Sequence, residues 1–486
     1  MSDLHTLMGL LPVVVPAIGG IWILVVLAVA GDRALRDMPV HTLTMLLLSG
    51  VSAVLLLSRG YSSDLVQGAV RIDPQALVFH LVFVVVAVLT VLSAAEFLKS
   101  SGAPHGEFYA LILFAVCGMT IMAASENLLS LFLGLEILSI CLYALAGFTR
   151  DESHAVEGAL KYFLLGAFST GFILYGIALL YGATGRIDLT GIAAHLTGGM
   201  PGVVDPLILA GMALLLVGLA FKVAAVPFHF WAPDVYQGSM TPVSGFMATG
   251  TKAAAFAMLL RILTDGLADA AIREQWIAVL SGVALLTMIV GNIVALAQQN
   301  IKRMLAYSSI ANAGYLLVAV VAGGRRGGGP SLVVFYLGAY TFMTLGAFAM
   351  ASLLGRSTGG GAAYEITSYA GLARRRPYLA AAMAIFMLSL TGIPPTGGFM
   401  GKFYVFKAAI DAGMYDLAVV GVLASVVGAV YYMRVVVQMY LREPAAGAVL
   451  PATSPGEALA IVIAAVGTLW IGLFPTGLLG LARLLG

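Results

Sequence analysis

The sequence predicts an all-α protein that crosses a membrane about fourteen times. Hydrophobic residues make up 61% of the 486 residues and charged residues only 10%, a composition that excludes a water-soluble globular domain. Apolar runs of about 20 residues, the length a helix needs to cross a bilayer, follow one another along the chain. No run has the alternating pattern of a membrane β-barrel, so helices are expected to satisfy the backbone hydrogen bonds.

Hydropathy and the glycines, prolines and charges between the apolar runs set the predicted boundaries of the spans. The candidate spans cover residues 8–30, 40–58, 76–97, 107–124, 127–148, 156–182, 205–238, 241–263, 275–297, 302–322, 331–354, 378–412, 415–441 and 457–484. The spans 205–238 and 378–412 are too long for one crossing, and proline interrupts both, at Pro227 and at Pro394-Pro395. Because proline breaks the helical hydrogen-bond ladder, each is predicted to be two half-helices around an unwound centre.

The two interruptions also predict a repeated architecture. Each falls in the fourth span of a block of five, and paired interruptions in two halves of a membrane protein indicate an inverted-repeat transporter core. The predicted units are residues 1–106 with helices 1–3, residues 107–263 as a first repeat of helices 4–8, residues 264–442 as a second repeat of helices 9–13, and residues 443–486 with helix 14. Helices 7 and 12 are the discontinuous ones.

Charge and cysteine content limit the function classes. The formal net charge of +2 indicates no nucleic acid partner. Cys117 and Cys141 lie in separate apolar runs and support neither a disulfide framework nor an iron–sulfur or zinc site. Basic residues predominate in the loops on the side opposite the amino terminus, with Arg374, Arg375 and Arg376 as the main cluster. The positive-inside rule therefore favours both termini outside.

Five of the seven lysines lie inside apolar runs: Lys161, Lys222, Lys252, Lys402 and Lys407. A lysine at the centre of a bilayer costs about 2.5 to 3.5 kcal/mol on insertion scales, so several of them indicate a buried ion or proton path. Lys222 lies one turn before the first break, and Glu136 lies near the middle of its own span. A pair of these two would bind a proton with an affinity that depends on whether the pair is closed or open, which a proton switch requires.

The other lysines differ in how strongly they indicate function. Lys252 is near mid-membrane with small residues on its face, which leaves room for water, and Lys402 follows the second break. Lys161 follows Glu157 by four residues, so an ordinary surface ion pair explains it equally well. Lys222 also has a structural alternative, as a cap of the carbonyls freed at the break, and Glu136 has one as a partner of a neighbouring hydroxyl. Lys252 and Lys402 have a purely structural role as their alternative.

Several further polar residues have open or structural interpretations. His229 borders the first break and is equally suited to relay protons and to bond a freed carbonyl. Lys407 is close to Asp411 and is expected to reach the membrane interface. Lys302, followed by Arg303, is expected to be an interfacial anchor. The role of Arg434 stays open. The chain lacks a dinucleotide fingerprint, a haem-type histidine pair and a nucleophile–base set, so we expect no redox chemistry of its own.

Six motifs together resemble a known family, the subunit N family of the proton-pumping NADH-quinone oxidoreductase, complex I. They are residues 135–139 (LEILS), 159–163 (ALKYF), 221–236 (FKVAAVPFHFWAPDVY), 241–244 (TPVS), 306–310 (AYSSI) and 391–399 (TGIPPTGGF). The similarity runs from about residue 107 to residue 442. Several long motifs in the correct order make the resemblance specific.

The resemblance implies fourteen helices with two inverted antiporter-like repeats and a proton path along a polar axis at mid-membrane. It implies that Glu136 and Lys222 form the switch and that Lys161 modulates it. Lys252 would connect the switch to the central axis, and Lys402 would be the exit-side site. Lysine at position 402, where subunit M relatives carry glutamate, and the end of the chain at Gly486, without the long lateral helix of subunit L, favour the N branch.

The resemblance also implies a place in a larger enzyme. The chain would be a non-redox subunit of a proton-translocating NADH-quinone oxidoreductase, with NADH, FMN, the iron–sulfur clusters and quinone bound by other subunits. Its expected partners are subunit M, the small subunits K and J, and the lipid bilayer. The implied location is the inner (plasma) membrane, crossed many times, with both termini on the periplasmic side.

One departure and two rival functions accompany this interpretation. Asn312 stands where many relatives have histidine, and because asparagine does not titrate, a proton relay at this position would need water. A cation/proton antiporter, or a subunit of a multisubunit one, is the main alternative. A purely structural spacer is the other, and the cost of burying the lysine charges argues against it.

Overall fold

A computed structural model of the chain describes residues 2–100, 106–198, 205–356, 364–444 and 450–485. Within these ranges, twelve helices are long and apolar enough to cross a membrane. In chain order the helices are α1 (Ser2–Ala30), α2 (Met38–Ser58), α3 (Pro74–Ser100), α4 (Glu107–Ala124), α5 (Leu128–Ala146), α6 (Ser153–Thr184), α7 (Leu189–Thr197), α8 (Pro206–Lys222), α9 (Trp231–Gly238), α10 (Thr241–Phe246), α11 (Lys252–Arg261), α12 (Ala270–Leu296), α13 (Ile301–Arg326), α14 (Gly329–Gly355), α15 (Leu372–Arg375), α16 (Pro377–Thr391), α17 (Gly397–Asp411), α18 (Tyr415–Leu441), α19 (Pro455–Leu473) and α20 (Pro475–Ala482). The predicted all-α membrane fold is confirmed, whereas the count of fourteen spans stays a prediction.

Both predicted helix interruptions are confirmed. The first separates α8 from α9, and its unwound segment, residues 223–230, contains Ala224 with a φ of 56°. The second separates α16 from α17, and α16 ends at Gly392, whose φ of 91° is the left-handed conformation that glycine adopts without strain. Each interruption leaves the carbonyl groups at the end of the first half-helix without helical partners. Those carbonyls are therefore available to bind other groups.

Two features differ from the sequence prediction. The last predicted span is not one helix, because Pro475 starts the separate helix α20 after Phe474. A small antiparallel ribbon, β1 (Ser63–Leu65) and β2 (Val70–Ile72), follows α2. Its three-residue strands are too short to give an alternating pattern. The reversal between them is made by Val66, Gln67 and Gly68, all at positive φ, and only the glycine is a typical turn signal.

The core of the fold is a set of completely enclosed helices. The helical run Thr241–Gly266 comprises α10, a π-helical turn (Met247–Thr251), α11 and a second π-helical turn (Ile262–Gly266), and its whole apolar window is buried. Helices α13 and α14 are almost as deeply buried. Helices α1, α6, α18 and α19 instead present exposed apolar side chains on one face, as lipid contact or subunit contact requires. Lys252 is therefore carried by the innermost helical run.

Close helix contacts in the two predicted repeats depend on glycine. A side chain at Gly118 of α4 would lie 2.7 Å from the backbone of Leu138, and one at Gly134 of α5 would lie 2.9 Å from Met122. In the second repeat, a side chain at Gly291 of α12 would lie 2.6 Å from the backbone of Ala311 in α13. The first two helices of each predicted repeat thus approach backbone to backbone, as small residues allow in membranes.

A buried ion cluster connects the ribbon to the helices. The Arg261 guanidinium is 2% exposed, and its Nη2 lies 2.6 Å from Asp73 Oδ1. Its Nη1 lies 3.3 Å from Asp265 and 3.4 Å from Glu126. Arg71 of the ribbon binds Glu126 at 2.9 Å. Burial raises the pKa of Glu126, although Arg71 and Arg261 oppose the effect. The cluster joins the ribbon, the α4–α5 turn and the end of α11.

Replacing Arg261 by methionine should destabilise the fold by about 3 to 5 kcal/mol, because it leaves buried carboxylates without their shared cation. The measurements are the thermal unfolding midpoint in detergent and the amount of protein recovered in its native assembly. Arg59→Met, at an exposed position, is the matched control. Equal midpoints for the two variants would contradict a structural role for the cluster.

Candidate functional site

Lys222 lies at the carboxyl end of α8 and is 5% exposed. Its Nζ donates a hydrogen bond to Ser139 Oγ at 2.8 Å and lies 5.8 Å from the centre of the Tyr143 ring. Ser139 Oγ in turn donates to the Leu135 carbonyl. Because Lys222 is the last residue before the break, its position depends on where the helix ends. The ammonium group is held by a hydroxyl and an aromatic face, and not by a carboxylate.

Glu136 is one turn away from Ser139 on α5 and is partly exposed. Its Oε1 accepts a hydrogen bond from Thr170 Oγ1 at 3.0 Å. The predicted pair of Glu136 and Lys222 is therefore not a direct ion pair in this conformation, because Lys222 binds Ser139 and Glu136 binds Thr170. Lys222 nevertheless binds the helix that carries Glu136, because Ser139 is one turn from Glu136 on α5.

Lys161 lies in an ion cluster that connects three helices. Its Nζ lies 2.7 Å from Glu157 and 2.9 Å from Asp234 Oδ2, and its side chain is 42% exposed. Asp234 Oδ1 binds Arg303 Nη1 at 2.7 Å. The ordinary surface pair with Glu157 is present, but Asp234 also joins α6 to α13 across the short helix α9. The sequence placed Asp234 at the break without identifying this role.

Lys252 is the first residue of α11, directly after the π-helical turn, and is 2% exposed. Its Nζ donates to the carbonyl oxygen of Ser309 and, at 2.7 Å, to Ser309 Oγ. The ring of Tyr340 lies beneath the ammonium, with its centre 5.5 Å away. The π-turn directs Lys252 towards α13, and π-turns within helices are frequent at functional sites.

Lys402 caps the first half of the second broken helix. Its Nζ donates to the carbonyls of Leu390 at 2.9 Å and Thr391 at 3.1 Å. The ring centre of Tyr315 lies 4.9 Å from the ammonium. A structural role, in which the lysine binds freed carbonyls, and a functional role are thus compatible at Lys402. The break itself supplies the groups that solvate the charge.

A network of neutral polar groups occupies the space between Lys252 and Lys402. Tyr336 donates to Asn312 Oδ1 at 2.6 Å, and Asn312 Nδ2 donates to the Ser308 carbonyl at 2.8 Å. Asn292 Nδ2 donates to the Tyr315 hydroxyl at 3.1 Å. Other contacts in this network are those of Ser308 with Tyr432, of Ser425 with Tyr315, and of Tyr431 with Asn292. Both polar atoms of the Asn312 amide therefore have a partner, a hydroxyl at Oδ1 and a carbonyl at Nδ2.

His229 lies in the first unwound segment and is 5% exposed. Its ring packs against Phe230 with a centroid distance of 4.5 Å. Within the described residues its Nδ1 has no hydrogen-bond partner. His229 is thus buried at the break, and its Nδ1 is free to bind water or a proton within the described residues.

Lys302 is the clearest difference from the sequence expectation. We expected an interfacial anchor, but Lys302 is 3% exposed. Its Nζ donates to the carbonyls of Gln237 at 2.8 Å and Ser239 at 2.6 Å, beneath the ring of Tyr364 at 4.9 Å. These carbonyls belong to the end of α9. In sequence, a lysine that precedes Arg303 and follows a polar turn resembles a surface anchor. The sequence does not show that α9 covers this lysine in the fold.

Two remaining basic residues have structural contacts. Lys407 is exposed and binds Asp411 at 2.5 Å, in agreement with the expected interfacial position. Arg434 donates to the carbonyls of Leu296, at 3.1 Å, and Gln298. It therefore caps the carboxyl end of α12, and the signal for this role is not present in the sequence around it.

Three clefts approach the buried lysines from the surface. A cleft of about 650 Å³ beside the α5–α6 loop is lined by Tyr143, whose ring contacts Lys222. A mainly apolar cleft of about 580 Å³ between α17 and α18 has Lys402 among its lining residues. A third, of about 710 Å³, is lined by Lys302, Arg356 and Tyr364. The buried ammonium groups are thus close to solvent or membrane without being exposed.

Comparison with known proteins identifies relatives over most of the chain. The family model described as "NADH:quinone oxidoreductase/Mrp antiporter, TM" matches residues 125–428. NADH-quinone oxidoreductase subunit N of Chloroflexus aggregans is 45% identical over 417 residues, which cover 86% of this chain and 84% of that protein. A chain in the structure of respiratory complex I from Thermus thermophilus is 36% identical, with a TM-score of 0.80 over 96% of this chain and 98% of that one. A chain of the Mrp complex from Dietzia sp. is 22% identical, with a TM-score of 0.84 over 99% of this chain and 97% of that one, which shows a shared fold.

Replacing Lys302 by methionine should lower stability by about 1 to 3 kcal/mol, because two buried carbonyls lose their donor. The thermal unfolding midpoint in detergent measures the effect. Lys99→Met, at an exposed helix end, is the control and should leave the midpoint unchanged. If Lys302 were an interfacial anchor, Lys302→Met and Lys99→Met would lower the unfolding midpoint by equal, small amounts.

Proposed function

Because the chain belongs to the subunit N family of NADH-quinone oxidoreductase, we propose that Glu136, Lys222, Lys252 and Lys402 carry the protons that this membrane subunit translocates. Lys161 and His229 are proposed as accessory groups at the first break. The proton movement is driven by quinone reduction elsewhere in the complex. The chain itself contributes no redox step, and NADH, FMN, the iron–sulfur clusters and quinone are held by other subunits.

One observation carries the proposal: three buried ammonium groups have no carboxylate in contact. Among the salt bridges of the described residues, none involves Lys222, Lys252 or Lys402, which bind only hydroxyls and carbonyls. An uncompensated buried charge is costly, and deprotonation removes that cost. Lys161, whose ammonium contacts Glu157 and Asp234, is compensated and does not gain in this way from deprotonation. These three are instead suited to gain and lose a proton reversibly.

The surroundings of Glu136 and Lys222 support a switch at the start of the path. When Lys222 exchanges Ser139 for Glu136, the closed pair favours the protonated lysine, and separation favours release. Thr170 and Ser139 stabilise the open arrangement with one hydrogen bond each. Since each such bond contributes about 1 kcal/mol, the two arrangements are close enough in free energy to interconvert. A change of charge on a neighbouring subunit would then bias one arrangement.

The network between Lys252 and Lys402 is proposed as the connection between the two sites. It consists of groups that donate and accept hydrogen bonds but do not titrate near neutral pH, such as Tyr336 and Asn312. Such groups can pass a proton through water without storing it. This replaces the titratable relay that a histidine at position 312 would provide. Charge is then held only at the lysines.

The family also supports an assembly and a location as proposals. We infer that subunits M, K and J are neighbours within the membrane arm, and that the exposed apolar faces of α6 and α18 meet neighbours or lipid. The inner (plasma) membrane is the inferred location, with both termini periplasmic. The shared fold with the Mrp chain keeps cation/proton antiport as the second candidate. Sodium-dependent proton uptake by liposomes that contain the chain without its complex would favour that candidate.

Replacing Lys222 by alanine should abolish proton pumping coupled to NADH oxidation, because the switch loses its cation. The measurement is proton uptake per NADH in membrane vesicles, with assembly checked by native electrophoresis. Lys407→Ala, which removes an exposed lysine of the same subunit, is the control and should pump normally. Unchanged pumping by an assembled Lys222→Ala complex would remove the central claim.

Replacing Tyr336 by phenylalanine should slow pumping by about fivefold, the effect expected from one lost hydrogen bond of about 1 kcal/mol in the connection. The ring and its packing are kept. Tyr369→Phe is the matched control, since Tyr369 is buried and its hydroxyl has no partner within the described residues. Equal rates for both variants would show that the tyrosine network only packs the core.

A further inference from the structure

Helix α14 carries a regular row of side chains that the proposed path does not use. Tyr340, Thr344, Phe348, Ser352 and Arg356 follow one another at intervals of four residues, so they form one slowly turning stripe along the helix. At 1.5 Å per residue the row spans about 24 Å. It begins at Tyr340, whose ring lies under Lys252. It ends at Arg356, which lines the 710 Å³ cleft.

The polar members of this row have unused hydrogen-bonding capacity. Within the described residues, the Tyr340 hydroxyl, Thr344 Oγ1, Ser352 Oγ and Arg356 Nε are buried without a hydrogen-bond partner. Threonine and serine in a helix commonly bond the carbonyl four residues earlier. Buried threonines elsewhere in the chain do so, such as Thr90, Thr249 and Thr468. The hydroxyls of Thr344 and Ser352 are thus turned away from their own helix.

Groups of this kind are where internal water binds. A buried polar atom without a protein partner in a native structure is commonly satisfied by an ordered water. At its middle the row faces α10, because a side chain at Gly245 would touch Phe348 at 3.0 Å. The Tyr340 hydroxyl is near Thr344 and Ser309, and Ser309 binds Lys252. The row thus leads from the cleft to the Lys252 ammonium.

Phe348 interrupts the row between its two pairs of polar side chains, Tyr340 with Thr344 and Ser352 with Arg356. It is 1% exposed, and its ring packs against Tyr236 at a centroid distance of 6.3 Å. Thr344 and Ser352 are eight residues apart, or about 12 Å along the helix, so no direct hydrogen bond joins them. A water chain along the row has to pass this buried apolar ring. Phe348 is therefore the narrowest candidate point of the row.

We propose that this row, Tyr340, Thr344, Ser352 and Arg356 with Phe348 as its constriction, is the intake route by which protons reach Lys252 from the cleft at Arg356. The proposal rests on the proposed function, since it supplies a lysine of that path. Neutral Lys252 accepts a proton from the nearest water, and each water in the chain receives one from its neighbour, so the proton is replaced at the cleft. By the predicted orientation, the cleft is on the cytoplasmic side.

The first test removes the hydroxyls while keeping their volume. The double variant Thr344→Val with Ser352→Ala should lower proton pumping per NADH about fivefold or more, the effect of losing a water held by one hydrogen bond. Thr344→Ser keeps the hydroxyl and should restore the rate. Thr468→Val, a buried hydroxyl outside the row, is the control. A double variant that is assembled and pumps like Thr468→Val would overturn the inference.

The second test reports the route without using pumping. The thiol introduced by Thr344→Cys should be modified by a charged, membrane-impermeant thiol reagent from the Arg356 side, and Phe348→Ala should accelerate the modification at least fivefold. The thiol introduced by Thr468→Cys should stay unmodified, as should buried Cys117 and Cys141; peptide mass spectrometry reads all four positions. Equal labelling at 344 and 468, with and without Phe348→Ala, would overturn the route. Normal pumping by Lys222→Ala would instead overturn the proposed function, and labelling at 344 would still report the route.

Discussion

The architecture depends on one constraint, which is that an ammonium ion inside a membrane protein must be solvated by protein groups. Lipid cannot supply them, and a regular helix uses most of its carbonyls internally. Hydroxyls and aromatic rings solvate Lys222 and Lys252, and Lys252 also binds the Ser309 carbonyl of α13. Lys402 binds the last carbonyls of α16. At Lys402 the break in the helix is thus part of the ion site.

The packing of the core serves the same requirement. Close glycine contacts, such as that of Gly118 with α5, bring helices together backbone to backbone. The enclosed helical run places Lys252 against Ser309, and no salt bridge of the described residues involves this lysine. Arg261 is also buried, but it shares three carboxylates at the end of α11. The interior thus holds single ammonium groups as well as one compensated cluster.

The sequence predicts the helices, their two breaks and the burial of Lys222, Lys252 and Lys402, because hydropathy and proline act locally. It does not predict the partners of those lysines. Glu136 and Lys222 are predicted to pair, yet Ser139 takes the direct contact with Lys222, a choice made by side-chain packing. Lys302 is buried only because α9 covers it. The sequence also gives no sign of the row on α14, because threonine and serine in an apolar helix usually bond a carbonyl of their own helix. Only the fold shows that Thr344 and Ser352 do not form this bond.

Asp234 gives the first broken helix a mechanical property. This carboxylate lies on α9 and is shared by Lys161 of α6 and Arg303 of α13, which belong to the two different predicted repeats. A shift of α9 towards either repeat shortens one ion pair and stretches the other. The position of α9 is therefore set by the balance between the two ion pairs of Asp234. Loss or displacement of one cation changes the force that the other cation exerts on α9.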